Sequence, residues 1–296
     1  MGAVLETFSF CKVNLLLNIL GKRPDGFHEV ETLMHPVALR DYLTFQTAGR
    51  SIRLTCSDPR LPVDSRNLVY RAAALFFKTT GTNAGVRIGL RKEIPIAAGL
   101  GGGSANAAAT LLALNELFGN PASSASLKEM AAALGSDVPF FLQPLPALAT
   151  GRGETIEPLN FFPALEEAWL LLAHPGFGIP TPWAYRQLER FPDARNGQQG
   201  RAAKLISLLQ RADLAAAAGQ LYNSLETPAL EKYPLLKLFR QYFLENGAAG
   251  ALMSGSGSAV FALCASWAEA SRLLDGFKAK FGPAIWTALL KLGAFL

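Results

Sequence analysis

Residues 95–106 read PIAAGLGGGSAN, four glycines in twelve positions, followed at once by an alanine- and leucine-rich run. This dictates a local structure: a bare, freely bending backbone delivered directly into a helix. The first N–H groups of a helix lack intrahelical partners and carry partial positive charge. A loop without side chains lets them close around an anion, phosphate above all, although an ordinary tight turn reads the same way. Two familiar phosphate loops are excluded. Walker A needs a lysine after Gly103, and the dinucleotide fingerprint needs glycine where Ser104 stands.

Elements on both sides follow from periodicity. Residues 8–21 form a strand, with Cys11, Val13, Leu15, Leu17 and Ile19 on one face and Lys12, Asn14 and Asn18 on the other. A Pro-Asp-Gly turn follows, then β segments at 41–49, 51–57 and 84–95. Helices are expected over 65–81, stopped by Gly81, over 104–120, and over 126–135 with Ser126 and Glu129 as a capping box and Gly135 at its end. Beyond residue 160 come a buried strand in AWLLLAHPG, helices from 181 to 245 and a second Gly/Ser turn leading into a strand within 250–263. WAEASRLLDGFKAKFG is a helix, and an apolar tail ends the chain. Mixed strands and helices without strict βαβ alternation favour an α+β, two-layer architecture, with a break near 155–160.

Composition narrows the function classes. Half of the 296 residues are hydrophobic and 17% are charged, which suits a packed globular protein. The net charge of +5 comes from scattered Lys and Arg, so a nucleic-acid surface lacks its basic stripe, while an anionic small molecule is accommodated. Cys11, Cys56 and Cys264 are odd in number and widely spaced, and His28, His35 and His174 have no ligand spacing, so neither a disulfide framework nor a zinc site is expected. The N-terminal stretch has no signal-peptide pattern and no apolar run is of membrane-spanning length, so a soluble, cytoplasmic protein is expected.

The full string Pro95, Ile96, Ala97, Ala98, Gly99, Leu100, Gly101, Gly102, Gly103, Ser104, Ala105 resembles the phosphate loop of the GHMP kinases. Two further family motifs occur in order: the first strand with Lys12, and LMSGSGSAVFAL at 252–263, whose Gly255–Ser256–Gly257 turn is expected in the transferred phosphate's pocket. The stretches at 12–32, 65–73, 135–141 and 173–185 resemble one branch, which phosphorylates a cytidine diphosphate-linked alcohol in the non-mevalonate route to isoprenoid precursors. Homoserine and mevalonate kinases share the loop and stay as alternatives, as do a nucleotide-binding regulator and a nucleic-acid-binding module.

The resemblance implies a two-domain GHMP kinase fold, with a ribosomal-protein-like α/β domain at 1–158 and an α+β sandwich at 159–296. It implies ATP with Mg²⁺, no nucleic acid or membrane partner, and a monomer or homodimer. Asp137, read alone as a helix N-cap, matches the catalytic base, and Lys12, read alone as a strand-edge charge, its cationic partner. Asn14 would orient the acceptor, and Phe27, His28 and Tyr185 would hold the cytosine, with Phe27 standing where tyrosine is usual. Ser104 would ligate Mg²⁺ or cap the helix. Asn67 would lie near adenine or ribose, beside Arg66 where an acidic residue is expected.

Overall fold

The computed structural model describes residues 3–293. Its backbone contacts form two compact units, and the chain passes between them several times. Unit 1 holds residues 1–11, 39–95 and 101–144, and unit 2 holds 12–38, 96–100 and 145–296. Two long strands, β1 (Val4–Lys22) and β2 (His28–Thr47), contribute to both.

In unit 1, β3 (Ile52–Cys56) runs parallel to β4 (Val86–Arg91), which pairs antiparallel with β2 from Tyr42↔Arg91 to Thr47↔Val86. Three helices accompany these strands: α1 (Leu68–Thr80), α2 (Gly102–Leu117) and α3 (Ser124–Leu134). Helix α1 is bounded as its sequence dictates. The Asn67 side chain caps its start, and Gly81 ends it at φ 67°, where a β-carbon is disfavoured. Helix α2 is buried on nearly every side from Ala105 to Asn115, which explains its alanines: small side chains let neighbours approach on all faces.

Two expected helix starts shift. Helix α2 begins at Gly102 with Gly101 as N-cap, so Ser104 is its third residue and not its cap. The capping box at Ser126 and Glu129 does not form, because Ser123 accepts the bond from the Ser126 N–H and starts α3 three residues earlier. Gly135 does end α3, but at φ 166°, which is extended backbone open to any residue.

Unit 2 contains two sheets. In one, the first part of β2 pairs with β5 (Ala147–Thr150), β5 with β6 (Thr155–Pro158), and β1 runs parallel to β8 (Tyr222–Asn223) at Leu16↔Tyr222. The other is fully antiparallel in the order β11 (Trp286–Lys291), β7 (Trp169–His174), β10 (Val260–Cys264), β9 (Gly250–Met253). The helices between these strands are α4 (Thr181–Gln187), α5 (Pro192–Arg195), α6 (Arg201–Gln210), α7 (Leu214–Ala218), α8 (Glu226–Lys232) and α9 (Pro234–Glu245), with α10 (Trp267–Phe281) following β10. Helices α9 and α10 supply Leu236, Phe239, Phe243, Leu273 and Phe277 to one core with β7, β9 and β10. The apolar tail is thus partly strand β11; its last three residues lie outside the described ones.

Strand β1 departs from one-sided burial. From Cys11 to Ile19 both faces are inaccessible, with Lys12 and Asn14 at 2% exposure and Asn18 at 0%. A lysine on the edge of a sheet would be solvated; this one is enclosed.

Candidate active site

Lys12 defines the site within unit 2. A buried ammonium must find acceptors or lose its charge. Its Nζ donates to Asn14 Oδ1 and to the Gly99 carbonyl at 2.9 Å. Asn14 Nδ2 donates to Thr32 Oγ1 at 2.8 Å, and that hydroxyl donates to Leu16 O at 2.6 Å. Ser254 Oγ donates to the same Gly99 carbonyl at 2.9 Å and accepts from the Asn14 N–H at 3.3 Å. Lys12, Asn14, the loop residue Gly99 and the second Gly/Ser turn, which are scattered in sequence, therefore meet around one carbonyl.

The loop is clamped on both sides by backbone. Lys12 N–H donates to Leu100 O at 3.0 Å and Ala259 N–H to Ala98 O at 2.9 Å. A β-carbon on Gly99, where φ is 78°, would overlap the Ser254 carbonyl oxygen, so glycine is required there. One on Gly255 would stand 3.0 Å from Gly99 O and 3.2 Å from Lys12 Nζ. Asn223 Nδ2 holds the turn from below by donating to Met253 O and Gly255 O at 2.7 and 2.8 Å. Ser256 Oγ lies 2.9 Å from Thr181 Oγ1 at the start of α4. Thr32, Ser254 and Asn223 were missed in the sequence, where each stands among ordinary strand or turn residues.

Of the three residues expected at the cytosine, two are ring neighbours. The His28 and Tyr185 rings are 5.2 Å apart, tilted by 42°. Burial, with lesser help from Lys22 and Arg195, lowers the His28 pKa. Phe27 is 53% exposed and lies under the Arg152 guanidinium, 4.8 Å from its ring centre, so it is not part of that ring pair.

Unit 1 holds the other group. Ala105 N–H bonds Gly101 O at 2.9 Å as the first rung of α2, leaving the N–H groups of Gly102, Gly103 and Ser104 outside the helical ladder. Gly103 is exposed, has no left-handed φ, and a β-carbon there would meet only Leu68 Cδ1 at 3.6 Å. Nothing in the fold requires glycine at 103, and its bare backbone leaves room for an anion at the start of α2. Leu68 is the first residue of α1, so the starts of α1 and α2 are neighbours, with Asn67 at the junction. Both ends of the Asn67 amide are engaged, the oxygen by Val69 N–H at 2.9 Å and the nitrogen by Pro62 O at 2.7 Å. Arg66 turns its guanidinium to Asp64, 2.8 Å away.

Asp137 is half-buried in the turn between α3 and a 3-10 helix at Pro139–Leu142. The N-cap position of that helix is Val138, one residue later than the capping reading of Asp137 requires. Among the described residues no group of three His, Cys, Asp or Glu could hold a metal ion.

Residues 67–143 match the GHMP kinases N terminal domain and residues 193–283 the GHMP kinases C terminal domain, so the chain is a GHMP small-molecule kinase. A 4-diphosphocytidyl-2-C-methyl-D-erythritol kinase of Pelotomaculum thermopropionicum is 44% identical, over 93% of this chain and 94% of its own. One from Synechococcus sp. (strain JA-3-3Ab) is 43% identical, over 89% of this chain and 86% of its own. The crystal structure of a 4-(cytidine 5'-diphospho)-2C-methyl-D-erythritol kinase superposes with a TM-score of 0.82 at 35% identity, covering 98% of this chain and all of the other. The chain belongs to the 4-diphosphocytidyl-2-C-methyl-D-erythritol kinase family.

Proposed function

We propose that the protein transfers the γ-phosphoryl group of ATP to the 2-hydroxyl of 4-diphosphocytidyl-2-C-methyl-D-erythritol, giving the 2-phosphate and ADP, in the methylerythritol phosphate route to isopentenyl diphosphate. The observation that carries the mechanism is the enclosed Lys12 ammonium, tied to the loop carbonyl of Gly99. Homoserine and mevalonate are not favoured as acceptors, because relatives matching most of the chain are cytidyl-alcohol kinases.

The main-chain N–H groups of residues 99–105 take the ATP phosphates, with Pro95, Ile96, Ala97 and Ala98 leading into them. The 2-hydroxyl oxygen attacks the γ-phosphorus in line, the bond to the β,γ-bridging oxygen breaks, ADP leaves, and the hydroxyl proton passes to Asp137. Lys12 offsets charge on the nucleophile and γ-phosphate. Because the transition state is loose, positioning and electrostatics supply most of the acceleration. Asn14 orients the acceptor through the amide capacity its bonds to Lys12 and Thr32 leave over. His28 hydrogen-bonds the cytosine while Tyr185 and Phe27 flank it, and the Gly255–Ser256–Gly257 turn closes the pocket of the transferred phosphate. Asn67 stands at the nucleotide side as the cap of α1.

Mg²⁺ would be held mainly by phosphate oxygens with few protein ligands, in keeping with the lack of a carboxylate cluster among the described residues. Ser104, on the first turn of α2, would add its hydroxyl, and the ion would offset phosphate charge. The two family segments support a division into 1–158 and 159–296, because they fall on either side of it. The need for ATP points to the cytoplasm, with the enzyme acting as a monomer or homodimer. No helix among the described residues is long and apolar enough to cross a membrane.

Asp137→Asn tests the mechanism. Turnover should fall about 10²-fold or more while ATP affinity holds within about twofold. Near wild-type turnover in that variant would remove Asp137 from the role of base.

A further inference from the structure

Unit 1 encloses a charged cluster that the transfer step does not use. Asp41, on β2, is 0% exposed, and the Lys92 side chain, just past β4, is 6% exposed. Asp41 Oδ1 accepts from the Glu93 and Ile94 N–H groups at 2.7 and 2.9 Å. Its Oδ2 accepts from Lys92 Nζ and from Asn106 Nδ2, the latter at 2.8 Å. Lys92 Nζ also donates to Asn106 Oδ1 at 3.2 Å, and Asn106 Nδ2 to Ser9 Oγ on β1 at 2.7 Å.

We infer that Asp41, Lys92 and Asn106 are positioning residues that fix both ends of the glycine loop and thereby set the affinity for ATP. One carboxylate oxygen takes the last two N–H groups before Pro95, where the loop begins. The other takes a side chain of α2 one turn after Gly102, where the loop has ended. The Lys92 ammonium lies beneath that first turn, 3.2 Å from where a Gly102 β-carbon would stand, so the cationic end of the pair faces the helix start. A buried ion pair is poorly explained by stability alone, since apolar residues of similar size often replace one without loss. Holding a glycine-rich loop in its bound shape has a direct return: less ordering is left to be done when the ligand arrives. The inference rests on the assignment of residues 99–105 to the ATP phosphates.

Two variants of the full chain test it. Asn106→Leu removes the link to α2, and Asp41→Leu with Lys92→Met replaces the pair so that neither charge is left buried alone. Both should weaken ATP about tenfold by calorimetry, roughly the cost of ordering one more loop residue, and raise KM for ATP alike. KM for the acceptor alcohol should stay within about twofold. ATP affinity unchanged in either folded variant, or equal shifts in both constants, would overturn the inference in favour of a purely architectural role. Should both variants fail to fold, hydrogen exchange on the wild type decides. The Glu93 and Ile94 amides should be protected equally with and without ATP, and protection that appears only with ATP would refute a pre-set loop. Wild-type protein that bound no ATP would instead remove the loop assignment itself.

Discussion

Replacing Gly103 by alanine separates folding from binding at a single atom. The added methyl would meet only Leu68 Cδ1, at an ordinary 3.6 Å, and Gly103 lies inside α2 without a left-handed φ. Alanine in place of a helical glycine contributes about 0.5–1 kcal/mol, so the unliganded variant should melt about 1–4 °C above the wild type. The same methyl stands beside the N–H groups outside the helical ladder, in the path of a phosphate. Losing one charge-assisted hydrogen bond costs about 1.5–3 kcal/mol, so ATP should bind about ten- to a hundredfold more weakly. At ATP equal to a hundred wild-type Kd values, the wild type gains about 2.7 kcal/mol and a hundredfold weakened variant about 0.4 kcal/mol. Thermal melts should therefore cross, the variant melting higher without ATP and lower with it. Calorimetry supplies the affinities. Equal ATP affinity, or a lower melting point without ligand, would refute the claim that position 103 is bare for the sake of an anion.

Two pH responses follow from half-buried His28 and buried His35. Burial first, then Lys22 and Arg195, holds the His28 pKa below 6.5, so KM for the cytidyl alcohol should be flat from pH 8 to about 6.5 and rise below that as imidazolium forms; a His28→Gln variant that kept the acid rise would free His28 of this role. His35 is wholly buried among Phe161 and Phe162, its Nδ1 donates to Pro36 O at 2.7 Å, its Nε2 has no partner, and burial pushes its pKa down to about 4. Unfolding releases it to about 6.5, so its contribution is complete above that pH and is lost as pH falls toward 4, about 3 kcal/mol in all. Chemical denaturation across that range should show His35→Leu losing less stability than the wild type, and equal losses would contradict the assignment.

What could be read from the chain was local. Asn67 and Gly81 bound α1 through side-chain capping and a left-handed turn, both of which act within a few residues. The first part of β2 escaped because Pro36 interrupts an apolar run, and proline argues against a strand interior. Strand β11 escaped because an apolar tail reveals itself as a strand only beside its partner, β7. The start of α2 was placed at Ser104, a good capping residue, but left-handed Gly101 starts it sooner. At the site, Lys12, Asn14 and the two glycine turns were legible from motif and resemblance. Thr32, Ser254 and Asn223, which hold them, were not, since each acts across 18 to 240 residues of intervening chain or within a turn with no chemical signature.

The central claim is one of acceptor choice. Coupled release of ADP with ATP and Mg²⁺ should be compared, as kcat/KM, for 4-diphosphocytidyl-2-C-methyl-D-erythritol, homoserine and mevalonate. The cytidyl alcohol should be preferred at least about a hundredfold, since the other two lack the base that His28, Phe27 and Tyr185 are proposed to hold. Equal rates for the three, or a preference for homoserine or mevalonate, would contradict the account.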